Sequence, residues 1–180
     1  WKRRGAALGI CGFCGLITWA ADSGIGTRRV QGPTAFVRRD HQIIAHQNGP
    51  DQTTSVVRTR EGYTLLFIDG YAASGEVGGS TGYMDAMGRL PMLMHPRPVE
   101  ALVICFGTGQ TGRAVLDENP AHLDIVDVNP AVFDLSVYFG SNRGVLRDPR
   151  THARTMDGRA WLRRESRRYD VITLEPMPPF

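Results

Sequence analysis

The sequence predicts an α/β fold built on a parallel sheet, and three observations carry that prediction. The run Ala101-Leu-Val-Ile-Cys-Phe106 shows no alternation of polar and apolar residues, as expected of a strand buried on both faces. A glycine-rich turn, Gly107-Thr-Gly109-Gln110-Thr-Gly112, follows at once, and a segment able to be helical runs from Arg113 to Asn119. A second apolar run then ends in Asp127, 20 positions after Gly107. This is the βαβ nucleotide-binding layout. Its glycines let the backbone approach a ligand, the helix N-terminus offers bare N–H groups, and the acid can accept ribose hydroxyls. Glycines that merely cap and pack a helix are the weaker reading between two such strands.

The pattern continues beyond Asp127. Pro130 suits the first position of a helix running to about Tyr138, and Gly140 to Gly144 reads as a loop. His152 to Met156 is a third strand closing at Asp157-Gly158. Arg159 to Arg168 is a helix, and Tyr169 to Glu175 is a fourth strand. In an open α/β sheet, ligands sit at the carboxyl ends of the strands, so Asp127, Asp157 and Glu175 are expected to converge beside the glycine turn.

Before this layer, Gln42-Ile-Ile-Ala is a short strand and Asn48-Gly-Pro-Asp51 a turn. Thr53 to Thr59 and Tyr63 to Asp69 form a hairpin across Arg60-Glu-Gly62, which Asp69-Gly70 closes. Ala72 to Thr81 is rich in Gly and Ser and reads as a flexible loop. Tyr83 to Met94 is a methionine-rich, core-facing helix rather than a cofactor box. His95-Pro-Arg-Pro98 ends it.

At the start, Lys2-Arg-Arg4 precede 17 uncharged residues, Gly5 to Ala21, with glycines at 5, 9, 12 and 15. A membrane helix is the preferred reading; a signal peptide and a buried soluble helix share the pattern. Asp22 to Asp40 is a linker. The expected domains are therefore 1–21 (membrane remnant), 22–40 (linker), 41–75 (small β unit) and 76–180 (nucleotide-binding domain). A membrane-associated protein with that last domain in the cytoplasm is the expected placement.

The chain has 180 residues, enough for one sizeable core and a small appendage, and its 42% apolar and 22% charged content is ordinary. A net charge of +3 selects no partner. The later arginines (Arg147 to Arg168) read as a solvated face first, an anionic membrane surface second, and a nucleic-acid surface a poor third. Cys11-Gly-Phe-Cys14 lacks a second pair to complete a zinc site, so no metal is expected. The opening at Trp1 and the stop at Phe180, just after a strand that belongs inside a sheet, suggest a piece of a longer chain.

Two enzyme classes share this start. A dinucleotide oxidoreductase would use Gly107, Gly109 and Gly112 for pyrophosphate and Asp127 for ribose. A class I S-adenosylmethionine-type transferase, methyltransferases included, would use the same turn and acid for a methionine-derived chain and a ribose. It would add Asp157-Gly158 for adenine and an acidic Pro-containing loop such as Glu175-Pro-Met-Pro178-Pro. The second class is preferred. The predicted fold is thus a Rossmann-like, class I S-adenosylmethionine-type parallel sheet, truncated after its fourth strand and preceded by a small antiparallel hairpin unit.

Leu65-Leu-Phe-Ile-Asp69-Gly70, Tyr83, Leu90-Pro-Met-Leu-Met-His95-Pro96, the glycine turn, Asp157-Gly158 and Tyr169-Asp-Val-Ile together resemble the spermidine synthases. The likeness is closer to members fused behind a membrane-helix region and covers roughly residues 45–180. It implies aminopropyl transfer from decarboxylated S-adenosylmethionine (or use of S-adenosylmethionine) to an amine, with Gln110 at the amine-holding position of the turn and Glu175 nearest the chemistry. A homodimer is compatible with it; a metal or nucleic-acid partner is not implied. The chain departs from the family at three places. Gln110 stands where the family has an Asp, Pro178 where it has a second, proton-accepting acid, and small residues around Ala73 to Ser80 where it has Gln and an acidic pair. The nucleoside half of the site is legible, while the polyamine half is degenerate. A non-catalytic nucleoside-binding module of a membrane protein is the alternative.

Overall fold

The computed structural model describes residues 41–175. The membrane helix and linker read in 1–40, and the proline-rich stretch 176–180 with Pro178, lie outside the described residues. Among the described residues no helix is long and apolar enough to cross a membrane.

The first sheet is an antiparallel meander of four strands, β1 (Gln42–Asn48), β2 (Thr53–Arg58), β3 (Thr64–Ile68) and β4 (Tyr71–Gly75). Gly62, at φ +89°, turns β2 into β3, as the Arg60-Glu-Gly62 signal predicts. Asp69-Gly70 does not end the unit. Both residues take positive φ, 49° and 81°, the two-residue hairpin turn whose twist matches that of the strands, and β4 follows. The expected hairpin is therefore a four-stranded sheet, and the expected loop 72–81 is an edge strand followed by a helix. The strand has the composition of a loop because Tyr71-Ala-Ala-Ser-Gly75 carries few large apolar residues. At the sheet edge it has little to bury: Tyr71 and Ala72 are exposed.

Helix α1 (Gly78–Met94) starts five residues before the expected Tyr83. Only part of its methionine-rich face points inward. Met84 and Met92 are buried, whereas Leu90, Leu93 and Met94 are exposed.

The second sheet is parallel, with β5 (Glu100–Ile104), β6 (His122–Asp127), β7 (Thr151–Thr155) and β8 (Val171–Leu174) in the order β7-β6-β5-β8. The connecting helices are α2 (Gln110–Asp117), α3 (Pro130–Asp134, extended by a 3₁₀ turn to Tyr138) and α4 (Gly158–Arg164). Pro130 takes the first helical position, and the Asn129 side chain accepts from Ala131 N at 3.0 Å. Helix α4 ends four residues earlier than the sequence suggests. From β5 the chain steps outward to β6 and β7, then returns to lay β8 on the other side of β5. That reversal puts the topological switch point at the carboxyl ends of β5 and β8, where open α/β sheets bind ligands.

One core joins the two sheets. Val56, Leu66 and Ile68 of the first pack in the same cluster as Val103, Leu123 and Ile125 of the second. Each such side chain contributes roughly 1.5–3 kcal/mol when fully buried. Polar ties reinforce the seam: Asn129 Nδ2 donates to Thr54 Oγ1 at 2.8 Å, and Ser141 N donates to Glu76 Oε1 at 2.6 Å. Behind the parallel sheet, Tyr169 donates to buried Asp124 at 2.7 Å and accepts from Trp161 Nε1 at 3.0 Å, which pins the entry to β8 against β6 and α4. The arginines on and around α4 (Arg159, Arg163, Arg164, Arg168) are exposed, as a solvated face requires.

Candidate functional site

A cavity of about 230 Å³ opens at the switch point. Strand register explains its centre. Ile104 pairs with Val126 on one side and Leu174 on the other, so the next residues, Cys105, Asp127 and Glu175, come out of the sheet side by side. Cys105 N donates to Val126 O at 2.8 Å and Glu175 N to Ile104 O at 3.4 Å, extending both ladders by one step. The cavity wall continues through Phe106, Gly107 and Thr108 of the turn, Thr111 of α2, and Val128 and Asn129 after β6. Its far side is the first sheet (Leu66, Ile68, Ala73, Ser74) with Met84 of α1. The wall is mostly apolar with a few polar groups, the usual make-up of a small-molecule site.

Asp127 is buried and held from two directions. Phe106 N donates to Oδ2 at 2.7 Å and Asn129 N to Oδ1 at 2.9 Å. Burial pushes its carboxyl pKa up, against these backbone donors and those of Gly107 and Val128. A carboxylate has about four acceptor sites, which these backbone groups share with any hydroxyl donor in the cavity. Glu175 is half-buried, and burial raises its pKa as well; Thr111 Oγ1 donates to Oε2 at 3.5 Å and works the other way. Between the two acids, the Cys105 thiol is pushed up to about 11, chiefly by burial and then by both carboxylates. It is a neutral thiol near pH 7, not a nucleophile.

The glycines divide the work. Gly107 lies in the wall with φ +54°. Gly109 has φ +86°, and a Cβ there would lie 2.6 Å from the Phe106 ring, so both conformation and space demand glycine. A Cβ on Gly112 would come 3.0 Å from Ile125, which marks it as the seat of α2 on the sheet.

Three expectations change at this point. The Gln110 side chain is buried but turned from the cavity, its Nε2 donating to Gly75 O at 3.2 Å and Thr108 Oγ1 at 3.1 Å. The side chains of the glycine-rich stretch that line the cavity are Thr108, within 3.2 Å of Ser74 Oγ, and Thr111. Asp157 does not share the wall with Asp127 and Glu175. It caps α4, its Oδ1 accepting from Ala160 N at 2.8 Å, while Gly158 packs on Ile104. The first sheet, read as standing before the nucleotide layer, supplies one side of the site. Among the described residues no group of three or more His, Cys, Asp or Glu could hold a metal.

Comparison with known proteins adds an independent line. The model of the spermine/spermidine synthase domain matches residues 80–179. The chain is 30% identical over 131 residues to a polyamine aminopropyltransferase of Bacillus subtilis, covering 71% of this chain and 47% of that protein. It is 32% identical over 117 residues to one of Thermococcus onnurineus, covering 64% and 41%. The chain thus spans less than half the length of these relatives. The fold is similar to the crystal structure of spermidine synthase from Thermotoga maritima, with a TM-score of 0.70, 22% identity, and coverage of 77% of this chain and 48% of that one. A spermidine synthase in complex with the transition state analogue AdoDATO gives 0.67 at 23% identity, covering 74% and 47%.

Proposed function

The chain belongs to the spermine/spermidine synthase family, and from that premise we propose that its cavity binds an S-adenosylmethionine-type nucleoside and supports aminopropyl transfer from decarboxylated S-adenosylmethionine to an amine. The observation that carries this reading is the pair of carboxylates, Asp127 and Glu175, flanking Cys105 beside a left-handed glycine turn. In the reading, the Asp127 carboxylate accepts from the ribose hydroxyls and Gly107 lets the backbone approach the thioether chain. Glu175 stands nearest the chemistry.

The reaction is a displacement at carbon. The amine lone pair forms a C–N bond to the methylene next to the sulfonium, and the C–S bond breaks with its electron pair going to sulfur, leaving a neutral thioether. The amine must lose a proton, and Glu175 is the cavity acid placed to take it. Burial raises its proton affinity, which suits a general base, and such bases contribute typically 10²–10⁴ in rate. Glu175→Gln is expected to lower turnover by about that factor and to leave nucleoside affinity within about twofold. Unchanged turnover would remove this role from Glu175.

A second reading is a nucleoside-binding module without transfer. It is favoured by the cavity's small set of ionisable groups, Cys105, Asp127 and Glu175 among the described residues, with Asp127 already tied to the backbone. Any transfer product ends it. A membrane tether at residues 1–21 belongs to the same proposal. It predicts that the whole protein stays with membranes after a carbonate wash, and release into the supernatant would contradict it.

A further inference from the structure

Thr111 and Glu175 come from different elements, the first turn of α2 and the end of β8, yet their side chains meet in the cavity wall. Thr111 is 5% exposed. A buried hydroxyl costs free energy unless it is bonded, so a side chain of the same shape without oxygen would fill this position at lower cost. The oxygen is turned to a carboxylate instead, with Thr111 Oγ1 donating to Glu175 Oε2.

Both partners rest on one step of α1. Thr173, two residues before Glu175, donates through Oγ1 to Met87 O at 3.1 Å. The next residue, Gly88, lies so close to α2 that a Cβ on it would sit 2.5 Å from Thr111 O. Met87-Gly88 therefore fixes β8 and α2 at one spacing, and with it the distance between hydroxyl and carboxylate. The neighbouring hydroxyl of Thr108 is occupied by Gln110 and Ser74.

We propose that Thr111 is a positioning residue for Glu175, its hydroxyl aiming the carboxylate into the cavity and favouring the charged form that accepts a proton. This rests on the role given to Glu175 above. The titratable groups that share the cavity are Cys105 from β5 and Asp127 from β6; α1 and β4 present Met84 and Ser74, which carry no charge. Burial raises the Glu175 proton affinity, and the Thr111 bond limits that rise. Without the hydroxyl, the carboxylate should hold its proton to higher pH.

The test reads Glu175 directly. Protein labelled with carbon-13 at glutamate carboxyls is titrated by NMR, the Glu175 signal being assigned by its loss in Glu175→Gln. Thr111→Val is expected to move the midpoint up by about 0.5 pH unit or more, a threefold or larger rise in proton affinity. Thr111→Ser is expected to restore it. A Thr111→Val midpoint equal to the parent's, in protein with an unchanged amide spectrum, overturns the proposal. Should that variant not fold, Thr111→Ala carries the same prediction and the same refutation. The acid limb of the transfer rate should move with the midpoint. A midpoint shift without any transfer removes the reaction and keeps the couple; transfer without a midpoint shift removes the couple and keeps the reaction.

Discussion

At the residue scale, burying Asp127 and Glu175 gives the site its character and costs the fold stability. Both carboxyls have folded pKa values raised chiefly by burial. A raised acid binds its proton more tightly folded than unfolded. Its contribution is present in full below the ordinary carboxylate pKa and is lost as pH rises through the folded value. Asp148, held at about 2 by Arg150, works in the opposite sense, as does Asp170 under the Val99 and Glu100 N–H groups. Their contributions are present above the ordinary value and lost as pH falls through the folded one. Glu175→Gln removes one of the raised acids. It is expected to raise the thermal midpoint at pH 7 by about 1–2 °C and by less near pH 4, below the ordinary glutamate value. Parallel thermal melts at the two pH values check this; a lower midpoint at pH 7 would contradict it. Asp127 was legible in the sequence because an acid at a strand end, a fixed distance past a glycine turn, has few other uses. Thr108 and Thr111 were not. Which way a turn presents its side chains depends on left-handed residues, and Cys105, at φ +72°, is one that no sequence pattern announces. Asp157 carried two signals at once, a strand-end acid and a helix cap, and its carboxylate is spent on the cap.

At the element scale, α1 is the brace that sequence periodicity only half revealed. Its contact with α2 depends on Gly88, since a Cβ there would meet Thr111 O at 2.5 Å and Ala114 Cβ at 2.7 Å. Ion pairs line the rim of the same contact: Arg89 with Asp85 at 3.0 Å and with Glu118, and Asp117 with Arg113 and Arg143. Partly exposed pairs of this kind add little, about 0–1 kcal/mol each, so the close approach matters more. Gly88→Ala is expected to cost about 1–3 kcal/mol by overpacking, read as a lower denaturation midpoint at unchanged slope. A neutral or stabilising effect would mean that α1 can shift outward freely. Strands β5, β6 and β8 were legible because each is a largely apolar run closed by a glycine or an acid, and the polar edge strand β7 was marked by the Asp157-Gly158 that follows it. Strand β4 was not, because an edge strand of small residues has the composition of a loop.

At the scale of the whole molecule, the cavity belongs to neither sheet alone. The parallel layer supplies the acids and the turn, and the meander supplies the apolar wall through Leu66, Ile68 and Ala73. The sequence showed both layers but not their meeting, because contacts between distant segments leave no local periodicity. The central claim is that this shared cavity holds an adenosyl thioether, and calorimetric titration of 5′-methylthioadenosine into the protein and its Asp127→Ala form tests it most directly. Binding by the parent, reduced at least about tenfold by the substitution, is the predicted result. No binding by folded parent, or equal binding by both, would contradict it.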